Sequence, residues 1–190
     1  SETSDNSLMW AHYGENHHGI CIGFEVTDNS ILANSDHCLH VKYSNATPRI
    51  DDVIEMERQM SSRIDGRKRL KGTIALSHPI IQATIATKGL EWAYEREWRY
   101  VEFASGEYDW PAPIVEITFG LRCNLSRRNH YLALLKSYVP NDVRLYEIRK
   151  VPQTKSIERV MIGVASALAS DAPFTPCIEQ VQRLLHNRNF

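Results

Sequence analysis

Residues 92–101 hold the highest density of side chains that can take part in binding or catalysis. This segment reads WAYEREWRYV and holds two tryptophans, two tyrosines, two glutamates and two arginines. Neither an exposed helix nor a buried strand has an obvious need for such a mixture. Apolar walls that carry a few placed charges are typical of a cleft, so the segment predicts a binding or catalytic site.

Glu95 and Glu97 are the candidate reactive pair in this segment. Two carboxylates that are two residues apart on a strand point to the same side. Aromatic neighbours can separate their pKa values, so that one stays ionised while the other is protonated more easily. Such a pair can stabilise a sugar-like cationic transition state. The alternative is plain ion pairing, of Glu97 with Arg99 and of Glu95 with Lys88 or Arg96.

A second candidate group lies near the start of the chain, at Trp10, His12 and Tyr13. The imidazole of His12 can orient or protonate a ligand, and the two aromatic rings can stack beside it. The alternative is a structural histidine at a corner between a helix and a strand. Trp10 and Tyr13 fit one face of a short helix, which Gly14 is expected to end in the left-handed conformation.

Two further groups are weaker. His37, Cys38 and His40 are residue types that bind metals, but their spacing matches no compact zinc site, so we expect polar loop histidines and no metal. Residues 120–128 follow a predicted strand, open a helix and carry three arginines that can hold an anion. The segment lacks the ending of a P-loop, and a capped, solvated turn is the expectation.

Composition excludes several classes of protein. The net charge of −1 over 190 residues does not indicate a nucleic-acid partner, and no apolar run reaches the ~18 residues that a membrane span needs. No secretory leader opens the chain. The four cysteines form no Cys-x-x-Cys pair, which favours reduced thiols and a cytoplasmic location. The sequence points to no membrane and to no particular protein partner.

The hydrophobic pattern alternates between helical and strand periods along one chain. We therefore predict an α+β fold, with a single central mixed β-sheet and flanking helices, in one domain over residues 1–190. Residues 157–168 fit a strand and a helix almost equally well. The predicted strands cover 19–24, 39–43, 97–103, 114–119, 143–148 and 157–163, and the predicted helices 51–64, 79–88, 126–138 and 178–185.

Three sequence blocks together resemble a bacterial protein family. LMWAHYG at 8–14, GICIGF at 19–24, and Lys88 followed by WAYEREWR at 92–99 are similar to the proteins grouped as domain of unknown function 2971. Members of that family usually carry a further N-terminal portion. The resemblance therefore implies that this chain is a shortened or fragmentary member.

The Glu-x-Glu pair that precedes an apolar strand also looks like the third motif of ADP-ribosyltransferases. That resemblance implies a small nucleotide, NAD, as substrate. Glu97 would hold the nicotinamide ribose and stabilise its oxocarbenium ion, and Glu95 would orient the acceptor. The earlier motifs of those enzymes would then belong to the missing N-terminal portion. The implied catalytic residues are Glu97, Glu95 and His12, and the implied cofactor-binding residues are Trp10, Tyr13, Trp92, Tyr94 and Arg99.

A different class of function fits the same residues. In this alternative the chain is a non-catalytic ligand-sensing or protein-interaction domain, acting in phage defence or stress response. Glu95, Glu97 and Arg99 then form a structural network around Lys88. The two hypotheses differ in whether the carboxylates face a ligand or only their counter-ions.

Overall fold

The computed structural model describes residues 1–46, 79–102, 104–136, 138 and 142–165. The chain divides into two compact units. We call Ser1–Glu2 with Thr27–Tyr108 the ladder unit, and Thr3–Val26 with Asp109–Phe190 the sheet unit.

Short helices and strands alternate through the described residues. The helices are α1 (Ser7–His12), α2 (Pro79–Ile85) and α3 (Leu125–Leu135), and 3₁₀ turns span Ile31–Ala33 and Leu90–Glu95. The strands are β1 (Ile20–Phe24), β2 (Cys38–His40), β3 (Lys42–Tyr43), β4 (Thr87–Lys88), β5 (Trp98–Tyr100), β6 (Ile114–Phe119), β7 (Arg144–Lys150) and β8 (Ile157–Val164).

The sheet unit contains a mixed four-stranded sheet in the order β1-β6-β7-β8. β6 pairs antiparallel with β1 and parallel with β7, and β7 pairs antiparallel with β8. Alternate strand residues pack with α3 into one apolar core, because successive side chains of a strand point to opposite faces. The α+β class and the mixed sheet predicted from the sequence are confirmed. The core residues are Ile114, Ile117, Phe119, Cys123, Leu132, Leu135, Val143, Leu145, Ile162 and Ala165.

A left-handed turn follows α1 in the sheet unit. Three consecutive residues that are not glycine, Glu15, Asn16 and His17, have φ values of 51°, 52° and 70°. The prediction that Gly14 itself adopts the left-handed conformation is wrong. Glycine is needed at position 14 for another reason, since a Cβ there would overlap the indole ring of Trp10.

This turn is held from two sides. The His17 N–H donates to the carbonyl of Trp10 at 3.1 Å, and the His17 carbonyl accepts from the Arg122 N–H at 2.9 Å. The Gly120 N–H donates to the carbonyl of Gly19 at 3.0 Å. Left-handed residues other than glycine each cost about 1–3 kcal/mol and persist only where their surroundings hold them. These contacts supply that support.

The ladder unit holds two small strand pairs. β2 pairs antiparallel with β5, and β3 pairs parallel with β4. The strand predicted over 39–43 is therefore divided at Val41, whose neighbours pair with different strands. The helix predicted over 79–88 ends at Ile85 instead, because Thr87 and Lys88 are drawn into pairing with β3. The strand predicted to start at Glu97 begins at Trp98.

The remaining predictions on secondary structure fall in two groups. The strands near 20–24, 114–119, 144–150 and 157–164 and the helix at 125–135 are confirmed, with ends shifted by a few residues. The helices predicted at 51–64 and 178–185 lie outside the described residues, as does Cys177. Cys21, Cys38 and Cys123 are free thiols. In the part of the chain that the structure describes, no helix has the length and apolarity to cross a bilayer.

The packing of Gly120 yields a test of the turn. A Cβ at this position would overlap the backbone carbonyl of His17. A backbone group cannot rotate aside as the end of a flexible side chain can. We expect Gly120→Ala to lower the free energy of unfolding by about 1–3 kcal/mol, measured by urea denaturation. Gly106→Ala is the matched control, because its new methyl group meets nothing closer than 3.7 Å. Equal stability of the two variants would contradict the described contact.

His17 yields a test by pH. Burial, and then the positive charges of Arg122 and His18, lower the pKa of His17 below its ordinary 6.5. Just below pH 6.5 the imidazole of His17 is therefore protonated in the unfolded chain while it stays neutral in the folded chain. The stability that neutral His17 contributes is present above pH 6.5 and is lost as the pH falls through the folded-state pKa. We expect stability, followed by thermal unfolding between pH 7.5 and 5, to fall less steeply for His17→Asn. Asparagine tolerates the left-handed turn and does not titrate, so an unchanged slope would contradict this role.

Candidate functional site

A turn, rather than a strand, brings Glu95 and Glu97 together. Glu95 ends the 3₁₀ turn Leu90–Glu95, Arg96 takes the left-handed conformation with φ of 44°, and β5 begins only at Trp98. The premise that Glu95 and Glu97 lie two residues apart on one strand is therefore wrong. The two carboxylates still converge, because both approach the ammonium group of Lys88 from the two sides of Arg96 in the sequence.

Lys88 is the centre of this cluster. Its ammonium donates hydrogen bonds to Oε2 of Glu95, in a short contact, and to Oε2 of Glu97 at 3.4 Å. Nζ also lies 4.7 Å from the centre of the Trp92 ring, over its face, where a cation is attracted by the ring quadrupole. The three neighbours form a cage around one positive charge. We call this group, Lys88 with Trp92, Glu95 and Glu97, the lysine cage.

The two carboxylates differ sharply in exposure. Glu95 is 1% exposed, whereas the Glu97 side chain keeps 26% of its surface accessible. A buried carboxylate without a partner would be strongly destabilising. Lys88 supplies the partner, so Glu95 is held as part of the interior and Glu97 lies at the border with solvent.

Arg99 fixes the orientation of Glu97. Its Nε donates to Oε1 at 2.7 Å and its Nη2 donates to Oε2 at 3.2 Å, a two-pronged contact that sets the plane of the carboxylate. The guanidinium is held in turn by the carbonyl of Ile85. The Glu97 backbone N–H donates to the Tyr43 hydroxyl at 2.8 Å. Both ends of Glu97 are thereby anchored.

The charges around Glu97 decide its protonation state. The hydrogen bond from Arg99 lowers the pKa of Glu97, opposed by partial burial and assisted by the charges of Arg99 and Lys88. Glu97 in turn raises the pKa of Arg99. Glu97 is therefore ionised at neutral pH and does not serve as a proton donor there. The ion pairs of Glu97 with Arg99 and of Glu95 with Lys88, which the sequence left open, are present.

Aromatic residues border the cluster within the ladder unit. The rings of Trp92 and Tyr94 lie 6.0 Å apart, and both side chains are half-buried. Trp98 is 45% exposed, and its indole N–H donates to Glu2 at 3.0 Å. The Ser1 hydroxyl donates to the carbonyl of Glu95 at 2.7 Å. Sequence reasoning missed Ser1 and Glu2, because no local pattern links them to residues almost a hundred positions away.

Trp10, His12 and Tyr13 belong to the sheet unit and are described by themselves. Trp10 is 3% exposed, and its indole N–H donates to the carbonyl of Ser4 at 2.7 Å. This tryptophan is part of the interior that holds α1. His12 and Tyr13 are exposed, with ring centres 6.2 Å apart.

The histidines of the ladder unit are arranged around aromatic side chains. His40 packs edge-on against Trp98 at 4.9 Å, and His37 lies 3.8 Å from a carboxylate oxygen of Glu102. The same glutamate accepts a hydrogen bond from Tyr100, which raises the pKa of that phenol to about 12. Over the described ranges, no group of three or more histidine, cysteine or acidic side chains is placed to hold a metal ion.

The start of α3 is a capped turn, as predicted. The Asn124 side chain accepts from the Arg127 N–H at 3.0 Å. Arg127 pairs with Glu15 at 2.6 Å, and Arg128 pairs with Glu147 at 2.7 Å. Two of the three cations that suggested an anion site are therefore already bound to acids.

Comparison with known proteins finds a match to one family model and no activity. Searches of curated proteins and of solved structures give no match. The findings do not show the likeness to ADP-ribosyltransferases that the Glu-x-Glu pair suggests. The family resemblance predicted from the sequence is confirmed over almost half of the chain: residues 9–100 match the model of the family described as protein of unknown function (DUF2971).

Proposed function

We propose that this chain is part of an NAD-using enzyme, similar to ADP-ribosyltransferases or NAD glycohydrolases, in which Glu97 is the catalytic carboxylate. The observation that carries the proposal is the state of Glu97. Its carboxylate is ionised, oriented by Arg99 and still 26% accessible. A negative charge that is fixed in orientation can stabilise a developing cation, and the accessible part of Glu97 leaves room for a substrate to reach it.

The reaction would break the bond between the nicotinamide nitrogen and C1′ of the ribose. The nicotinamide leaves with the bonding electron pair and becomes neutral, while positive charge develops at C1′. Glu97 would stabilise that charge and accept a hydrogen bond from a ribose hydroxyl. Water or an acceptor then adds to C1′ and releases a proton to solvent. This sequence needs no proton donor at Glu97, which agrees with its lowered pKa.

Glu95 has a different role in this proposal. A side chain that is 1% exposed cannot easily touch an acceptor, so the acceptor-orienting role implied by the motif fits it poorly. Glu95 instead holds Lys88, which also reaches Glu97. We therefore treat Glu95 as a positioning residue. Trp92 and Tyr94 remain the candidate aromatic walls, and the assignments of His12, Trp10 and Tyr13 remain predictions.

The test of catalysis is a comparison of two glutamate substitutions. We expect purified wild-type protein to release nicotinamide from NAD, followed by chromatography, and Glu97→Gln to reduce the rate about 100-fold or more because a transition-state charge is lost. Glu91→Gln is the matched control, since Glu91 is exposed on the same 3₁₀ turn. Absence of nicotinamide release by the wild type, or equal rates for all three proteins, would refute the proposal.

A second candidate function is a non-catalytic ligand-sensing or interaction domain, and one observation favours it. Each charge of the cluster already has an internal partner: Lys88 with both glutamates, and Arg99 with Glu97 and the carbonyl of Ile85. In this second function the closed network has one role, which is to hold α2, β4 and β5 together. The ligand or partner then binds at another surface.

The stability of a Glu95 variant measures how far the network is structural. Glu95→Gln leaves Lys88 without its closest counter-ion, and breaking a buried pair costs about 3–5 kcal/mol. We expect a loss of about 3 kcal/mol in the free energy of unfolding, measured by urea denaturation. The exposed control Glu91→Gln should stay within ~0.5 kcal/mol. A loss below 1 kcal/mol for Glu95→Gln would argue against a structural network.

A further inference from the structure

The lysine cage has the composition of a binding site for an organic cation. Two carboxylates and the face of an indole ring surround one ammonium group, with Nζ against Glu95, 3.4 Å from Glu97 and 4.7 Å from the ring centre of Trp92. Aromatic faces combined with negative charge are a general means of recognising cationic ligands. In this chain the cage already holds a cation, which is the side chain of Lys88.

We propose that Lys88 is a built-in occupant of a cation-binding cage, and that it must withdraw before the pyridinium ring of a nicotinamide compound can bind against Trp92 and Glu97. This inference rests on the proposed function, because that function supplies the class of ligand. It adds a regulatory contact to the site: the ammonium group of Lys88 competes with the cationic ring of the ligand.

The balance of charge supports this reading. Lys88 and Arg99 contribute two positive charges, and Glu95 and Glu97 contribute two negative charges, so these four side chains are together neutral. Loss of the Lys88 charge leaves a net charge of −1. A neutral cluster has little attraction for an external cation, whereas a negative cluster at the same place attracts one.

The contact is also placed so that it can open. The Lys88 side chain is 21% exposed and that of Glu97 is 26% exposed, so Nζ lies next to solvent. The contact of Lys88 to Glu97, at 3.4 Å, is longer than the 2.7 Å contact of Arg99 to the same carboxylate. Arg99 therefore keeps Glu97 oriented when Lys88 moves. Withdrawal of Lys88 would expose the face of Trp92 and one oxygen of Glu97 together.

Two probes and a substitution test the proposal. The probes are 1-methylnicotinamide, which carries the pyridinium charge, and nicotinamide, which has the same ring and amide but no charge. The variant is Lys88→Gln, which removes the charge and keeps an N–H donor for the buried Glu95. Lys42→Gln is the matched control, because Lys42 is exposed on β3, next to β4.

We expect Lys88→Gln to bind 1-methylnicotinamide about tenfold more tightly than the wild type at low salt, measured by calorimetry. A full unit of charge at a few ångströms could give more, and solvent screening reduces it. Nicotinamide should gain less from the substitution, because it profits from the exposed face of Trp92 but not from the charge, and Lys42→Gln should behave as the wild type. The double variant Lys88→Gln with Glu97→Gln should lose the gain.

Three results would overturn the proposal. One is unchanged affinity for 1-methylnicotinamide in Lys88→Gln. Another is an equal gain for the neutral probe, which would indicate space rather than charge. The third is loss of folding in both Lys88→Gln and Lys88→Met, seen by circular dichroism while Lys42→Gln folds, because Lys88 would then be a structural cation.

The outcome for the proposed function is separate. If the wild type cleaves NAD and Lys88→Gln gains no affinity for the cation, the enzyme proposal stands and the occupied cage is refuted. If no protein cleaves NAD but Lys88→Gln binds the charged probe alone, the cage stands as a cation site and the enzyme proposal is refuted.

Discussion

The charge on Glu95 is the constraint on which the ladder unit depends. A carboxylate that is 1% exposed has lost nearly all contact with water and requires a cation nearby. Lys88 meets that requirement from β4, which is only two residues long and pairs with an equally short β3. Strand pairs of that length have little stability of their own. In this structure the ion pair with Lys88 and the small apolar cluster around Leu39 and Ala86 hold these elements in place, and another cation beside Glu95 would meet the same requirement.

Arg99 and Lys88 have different roles in this cluster. The planar guanidinium of Arg99 meets the carboxylate of Glu97 at two points and reaches the carbonyl of Ile85 as well, which sets an orientation. The ammonium of Lys88 is a point charge on a flexible stem, so it can serve two carboxylates and an aromatic face at once. Arg99 fixes the orientation of the Glu97 carboxylate, and Lys88 balances the negative charge of the two glutamates.

Prediction from the sequence succeeded where a periodic pattern decided the structure. The strand pattern over residues 114–119 located β6, and the ion pairs of Glu97 with Arg99 and of Glu95 with Lys88 were among the alternatives that the sequence left open. Prediction failed where tertiary contacts decided the structure. Nothing local reveals that Arg96 takes a left-handed conformation, so the glutamates were placed on one strand. Residues 157–164 fit a helix as well as a strand, and only pairing with β7 selects the strand.

The order β1-β6-β7-β8 has a consequence for the family match. Among the described residues β1 lies at the edge of the sheet, and its partner β6 begins at Ile114, beyond the last residue of the match. A peptide cut to residues 9–100 would carry β1 with an unsatisfied row of amide and carbonyl groups, which is a template for aggregation. The limits of the matched segment are therefore not limits of autonomous folding, and a gene fragment chosen by homology alone would encode most of the ladder unit and a small part of the sheet unit.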